Sequence, residues 1–367
     1  MMLTEKPAFK KWVSLSAVLG FAFFMLYLYF FTDFTSVVGV IGKTNVLVYA
    51  LAFLCILGSA VFDTLTWKAI LDSLSVETTF SRVFNLSWVG HFVDSFIPGG
   101  WTGDVFKTYL LTKDKNVKGS KAAASIIIKD VLELLVILGS LIVGMILLAM
   151  NYSISSVIMI AIGITLVFLA LPLVLIVYLS TNIAATEKLL RLFERVSAKI
   201  KGKQSNPAAL QEKVHHQLTE FHDGIMSIKS NPKGMVKPIV YQVFTWIFDI
   251  VSLFVVFVAL GSLIGVDKVV ITNTIVSNIQ GQGVALSGFS QVVSSALYTV
   301  LGISPILAIA SSLLAGFAGF WFRLAISFVY FQITVLERCV PFFCKKCGGW
   351  RRKSCKEPKA IESQLIV

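Results

Sequence analysis

The sequence predicts an all-α polytopic membrane protein with about six full spans and two re-entrant broken hairpins, arranged as an inverted-topology repeat. Three observations lead there. The chain is 56% hydrophobic and only 14% charged, with a mean hydropathy of +0.82, which no soluble domain shows. Several apolar runs reach the roughly 20 residues that a helix needs to cross the hydrocarbon core. Two further apolar stretches are interrupted by glycine-rich breaks, and such backbone survives at membrane depth only inside protein or along a wet cavity.

The first expected span is residues 12–31, after a basic flank at 1–11 that carries Lys6, Lys10 and Lys11. It is too long for a signal-peptide core, so it reads as a retained anchor. A nearly neutral loop with Asp33 and Lys43 follows. The second span, about 46–67, contains Asp63. The first interrupted segment is 81–111, with its break at Pro98, Gly99, Gly100 and Gly103. Proline removes a backbone donor there, and glycine permits the turn. Lys113, Lys115, Lys118 and Lys121 mark the cytoplasmic side of this hairpin.

The third span, 122–150, holds Lys129, Asp130 and Glu133. The fourth, 157–179, is free of charge. The stretch 180–237 has ten Lys or Arg against five Asp or Glu, and 187–201 has the spacing of an amphipathic helix on the inner leaflet. The fifth span, about 238–263, contains Asp249. The second interrupted segment is 269–301, broken at 280–288. The sixth, 305–335, carries Arg323, and a basic tail occupies 336–367. The domain picture is therefore a membrane domain at 12–335, with halves 46–150 and 238–335, and both termini in the cytoplasm at the cell membrane.

The net charge of +12 fits topology and contact with anionic inner-leaflet lipids, and no nucleic-acid partner is expected. Cys344 and Cys347 have metal-like spacing, but no second pair completes a site. His215 and His216 are adjacent and cannot share a helix face. Neither a metal nor a cofactor is expected. The sequence allows a homo-oligomer.

The run from Pro98 through Gly103, Asp104 and Lys107 to Leu111 resembles the PGGxGGDxxRxyLL signature of the flippase-like membrane domain family, named from the transmembrane region of lysylphosphatidylglycerol synthase. Residues 286–304, with Gln291, resemble that family's later GxGxxE segment, and Arg323 matches an arginine of the next span. Lys107 stands where the signature has arginine, and Gln291 where it has glutamate. Lys129 and Asp130 reverse an acid–arginine order. The resemblance implies a carrier of an anionic or aminoacylated phospholipid, or of a polyprenyl-phosphate-linked headgroup, across the cytoplasmic membrane. The alternative is a membrane-embedded transferase on lipid headgroups, although no soluble catalytic domain or catalytic motif stands out.

The expected substrate site gathers Pro98, Gly99, Gly100, Gly103, Asp104, Lys107, Lys129, Asp130, Glu133, Asp249, Gln291 and Arg323. A helix N-terminus after Gly103 favours phosphate, the cations add charge, and the acids balance them. Plainer roles compete. Asp104 occupies an N-cap position. Asp104 with Lys107, and Lys129 with Glu133, have the spacing of helical ion pairs. Asp249 and Arg323 can pair across the halves. His91 and Asp94, one turn apart, suit a proton relay or a structural hydrogen bond.

Overall fold

The computed structural model describes residues 34–96, 102–113, 117–151, 232–281 and 289–343, with scattered positions between 167 and 182. The expected anchor at 12–31, most of the expected span at 157–179 and nearly all of 180–231 lie outside the described residues. So do Pro98, Gly99 and Gly100, the second break at 282–288 and the tail beyond 343.

The described residues form helices and turns, without a strand. In chain order they are α1 (Phe34–Ile41), α2 (Val46–Ser73), α3 (Phe80–Phe96), α4 (Thr102–Leu111), α5 (Gly119–Asn151), α6 (Val236–Ala259), α7 (Val266–Gly281), α8 (Phe289–Val300), α9 (Pro305–Gly316) and α10 (Arg323–Phe343). Four stretches are long and apolar enough to cross a membrane: Val46–Ser73, Gly119–Asn151, Lys233–Ala259 and Pro305–Thr334. Together they make this a multi-pass integral membrane protein.

Three departures from the sequence reading stand out. Residues 34–41, expected as loop, are helical. The second span runs six residues past Trp67, to Ser73. The sixth span is not one uniform α-helix, because Phe317–Phe322 is a π-helical turn between α9 and α10. Such turns insert residues into the helical register and favour functional sites. This one ends at Arg323.

Local chemistry sets several ends. Asn45 caps α2, its side-chain oxygen accepting from the N–H groups of Leu47 and Val48 at 3.1 and 3.2 Å. Asn45→Ala is expected to cost about 1 kcal/mol, read as a small drop in the thermal midpoint of the purified protein. At the other end of α2, Lys121 donates to the Leu74 carbonyl at 2.8 Å, where a cation suits the helix dipole. Pro305 opens α9, where its missing N–H costs nothing. Gly261 and Gly302 follow helix ends at φ +75° and +81°, a conformation glycine takes freely.

α2 and α6 make the most extensive pairing and run antiparallel. The Asn45 N–H donates to Ala259 O at 2.8 Å at one end. Ser73 Oγ donates to Gly234 O at 3.3 Å at the other. Between these, Phe62 stacks on Phe244 and Phe248 at 5.1 and 5.4 Å. The short helices cross over: α3 packs on α10, with Phe92 and Phe331 4.5 Å apart, and α7 packs on α5, with Thr274 bonded to Ser140. α3 has 17 residues and α4 has 10, lengths of about 26 and 15 Å, so neither spans the roughly 30 Å hydrocarbon core. The main core lies where α2, α3, α4 and α5 meet, around Trp67, Leu71, Leu86 and Leu111, all fully buried.

Candidate functional site: two stacked polar cavities

Polar side chains in the hydrophobic interior of these helices need partners, because an unpaired polar group there is costly. They gather at two cavities. The first, about 160 Å³, is bordered by Asp63 of α2, His91 of α3, Lys129 and Glu133 of α5, and Asp249 of α6 with Arg323 of α10. The second, about 680 Å³, also reaches Asp249 and Arg323 and extends to Ser290, Gln291 and Ser294 on α8.

The cavities sit at different depths. On α2 the first touches Ser59, Ala60 and Asp63, and the second touches Ala52 and Ile56. On α6 the first touches Gln242, Thr245 and Trp246, and the second Ser252, Leu253 and Val256. Because α2 and α6 are antiparallel, both series give the same displacement, roughly 10 Å along the bundle at 1.5 Å per residue. The first cavity lies toward the Ser73 end and the second toward the Asn45 end. Asp249, Asn273, Ser277 and Arg323 border both.

At that border Arg323 Nη2 donates to Asp249 Oδ1 at 3.0 Å. About a third of each side chain remains open. Arg323 Nε is buried and has no partner among the described residues. Buried Gln242 Oε1 and Trp246 Nε1 on the first cavity, and Thr272 Oγ1 and Ser312 Oγ on the second, are likewise unpartnered. Native proteins pair nearly all such atoms. Their concentration on these walls marks where a polar ligand or water belongs.

The first cavity carries three carboxylates against two cations. Lys129 is buried and held by Asp63 at 2.8 Å, with Glu133 at 3.7 Å. The i,i+4 pairing with Glu133 anticipated from sequence is the weaker contact. Asp63 supplies the stronger one from another helix.

Lys107 is buried too, but away from both cavities. It pairs with Asp104, and its ammonium lies 5.5 Å from the Trp67 ring centroid. Two expectations change. Asp104 does not cap α4. The helix starts at Thr102, and Asp94 of α3 accepts the Gly103 N–H at 2.6 Å. The N–H expected to be open for phosphate at Gly103 is therefore already bonded. Asp94 serves this hydrogen bond, and His91 lies edge-on to Trp88 at 6.0 Å and borders the first cavity.

Of the residues singled out in the sequence, Lys129, Glu133, Asp249, Gln291 and Arg323 border the cavities. Gly103, Asp104, Lys107 and Asp130 do not. Pro98, Gly99 and Gly100 lie outside the described residues. Asp63, Gln242, Trp246 and Asn273 were missed. An acid alone in an apolar run was the available signal for Asp63, whereas the uncharged three carried none.

The fold and this interior define a class: a polytopic helical membrane protein with a charged, divided cavity at its centre. The family follows from comparison. Residues 17–327 match the lysylphosphatidylglycerol synthase transmembrane region, and the chain belongs to that family. It is similar to a UPF0104 membrane protein of Pyrococcus horikoshii, 24% identical over 292 residues that cover 74% of this chain and 82% of the relative. A UPF0104 membrane protein of Methanocaldococcus jannaschii is 24% identical over 304 residues, covering 79% and 86%.

Proposed function

We propose that the protein carries the phosphate-bearing headgroup of a membrane lipid between leaflets through the two stacked cavities. The observation that carries this reading is the Asp249–Arg323 pair at their common border, with an unpartnered Arg323 Nε beside it. A guanidinium presents a planar fork that matches phosphate oxygens. A phosphate can exchange places with Asp249 and be handed from one cavity to the other without a bare charge meeting hydrocarbon. The headgroup is anionic or aminoacylated, or is linked through a polyprenyl phosphate.

The order of elements supports an inverted-topology repeat. Long helix, two short helices and long helix recur as α2, α3–α4, α5 and as α6, α7–α8, α9–α10. The central pair α2–α6 is antiparallel, and each half lends its first short helix to the last long helix of the other. Carriers built this way place their site at the repeat interface near the midplane. In the full membrane this implies six spans and two re-entrant hairpins. Lys68, Arg82, Lys113, Lys118, Lys121 and Lys237 lie toward the Ser73 end, which supports the reading that this end and the first cavity face the cytoplasm.

The test uses the purified chain in liposomes with a headgroup-labelled phosphatidylglycerol. Leaflet exchange above that of protein-free vesicles, with the lipid recovered unchanged, is the expected result. A new lipid product formed from an added donor would identify a transferase instead. No exchange and no product would leave an anchoring role for a soluble partner.

A further inference from the structure

The smaller cavity holds an imbalance of charge. Among the described residues, Asp63, Glu133 and Asp249 border it against Lys129 and Arg323, with His91 on the same wall. Two close contacts occupy four of these groups: Lys129 with Asp63 at 2.8 Å, and Arg323 with Asp249 at 3.0 Å. Glu133 is left over. Its contact with Lys129 is 3.7 Å, to a cation that Asp63 already holds, and about half of its side chain is open. The helices packed on α5 do not correct this. α2 adds Asp63 and α6 adds Asp249, both acids, and Lys107 of α4 is paired with Asp104. α7 lends the cavity the neutral side chains of Asn273, Thr274 and Ser277. On α5 itself, Asp130 does not border the cavity. The walls also have places for water. Gln242, 5% exposed, has an acceptor, Oε1, without a partner among the described residues, and Trp246 has a donor, Nε1, in the same condition. Water that bridges such groups gives a proton a route to Glu133.

A phosphodiester brings one more negative charge. When its oxygens take the Arg323 fork, Asp249 loses its cation and keeps the hydroxyl of Ser59. The acids near the border then exceed the cations by two. Like charges crowded in a medium of low dielectric hold one of their number in the neutral form. A proton is the cation that needs neither room nor a coordination shell. We propose that the smaller cavity is a proton site with Glu133 as its acceptor, loaded as a lipid phosphate engages Arg323, so that lipid and proton are carried together. The proton comes from bulk water, forms an O–H bond on the Glu133 carboxylate, and returns to water when the phosphate leaves. This rests on the reading of Arg323 as the phosphate contact.

Binding to the full-length protein in detergent tests it without requiring transport. The probe is dioctanoyl-phosphatidylglycerol, which carries no amine, so the counter-charge cannot come from the headgroup. Its phosphodiester stays monoanionic between about pH 5 and 9, so a pH dependence of binding there belongs to the protein. Calorimetry in two buffers of unlike ionisation enthalpy counts the protons taken up. Uptake approaching one proton per lipid is expected. Affinity is expected to fall by up to about tenfold per pH unit as pH rises, because the complex holds a proton that the free protein does not. Glu133→Gln, neutral at every pH, is expected to bind lipid with a flat pH profile and no uptake. Asp130→Asn is expected to keep the uptake. Circular dichroism melts confirm that the variants fold. Uptake that persists in folded Glu133→Gln overturns the proposal, as does affinity that follows sodium at constant ionic strength in place of pH. Lipid binding without proton uptake by the native protein removes this inference and leaves the phosphate reading standing. Absence of binding, or binding that is unchanged in Arg323→Gln, removes both.

Discussion

Arg323→Gln is expected to reduce leaflet exchange at least about tenfold, the least that a lost charge-assisted contact to phosphate would cause. Asp249→Asn is expected to slow exchange as well, for a different reason. Arg323 then has no resting partner and holds the phosphate too long, so binding tightens while turnover falls. Each single change leaves one charge unmatched inside the membrane. The penalty for breaking a fully buried pair is about 3–5 kcal/mol. Here about a third of each side chain is open, so a cost of about 1–3 kcal/mol is expected after solvent screening. The double variant Asp249→Asn with Arg323→Gln removes both charges. It is expected to regain most of that stability and none of the exchange. This contrast separates a transport role from a structural tie.

The same pair should also act as a partition. In a background with all five cysteines replaced, Ala60→Cys reports on the first cavity and Ser294→Cys on the second. A membrane-impermeant thiol reagent is expected to reach each from opposite sides of the membrane. In the double variant both should react from either side. Labelling of both positions from both sides with the pair intact would remove the partition.

The long apolar runs made the spans legible, since nothing but membrane burial tolerates them. That α3 and α4 are separate short helices was legible from Pro98 and the glycines beside it in the sequence, which disfavour one continuous helix. The π-helical turn at Phe317–Phe322 was not, since its residues are as apolar as the helices around it and only tertiary packing selects the register. Within the site, isolated charges such as Asp249 and Arg323 announced themselves by their cost in hydrocarbon. Their pairing was foreseeable as one option among several. Pairings between helices distant in sequence were harder. Lys129 had Glu133 at helical spacing, yet its closer partner is Asp63, 66 positions earlier, because α2 and α5 face each other across the cavity. Lys107 is the opposite case. Its motif suggested a ligand contact, and the fold buries it against Trp67 and Asp104, in the packing of α4 on its neighbours.

That packing leads to the second large effect. Gly103→Ala is expected to destabilise the protein by about 2–3 kcal/mol, at the upper end for overpacking, because the added methyl meets backbone as well as side chain. A Cβ at Gly103 would collide with the Gly90 carbonyl oxygen and with the Asp94 carboxylate that accepts the Gly103 N–H. To make room, α4 must move away from α3 and the hydrogen bond at 2.6 Å must lengthen. The contact is reciprocal, since a Cβ at Gly90 would press on the aliphatic stem of Lys107. That stem is flexible, so Gly90→Ala should cost less, yet it pushes the ammonium away from Asp104 and Trp67. The two helices thus interlock through a glycine on each. Lys107→Ala in the Gly90→Ala background should cost less than it does alone, because the shortened side chain no longer meets the new methyl. Thermal melts of the four proteins give that coupling as a double-mutant cycle. A cycle that closes at zero, or a Gly103→Ala protein as stable as the parent, would mean that α4 is held against α3 by something other than this interlock.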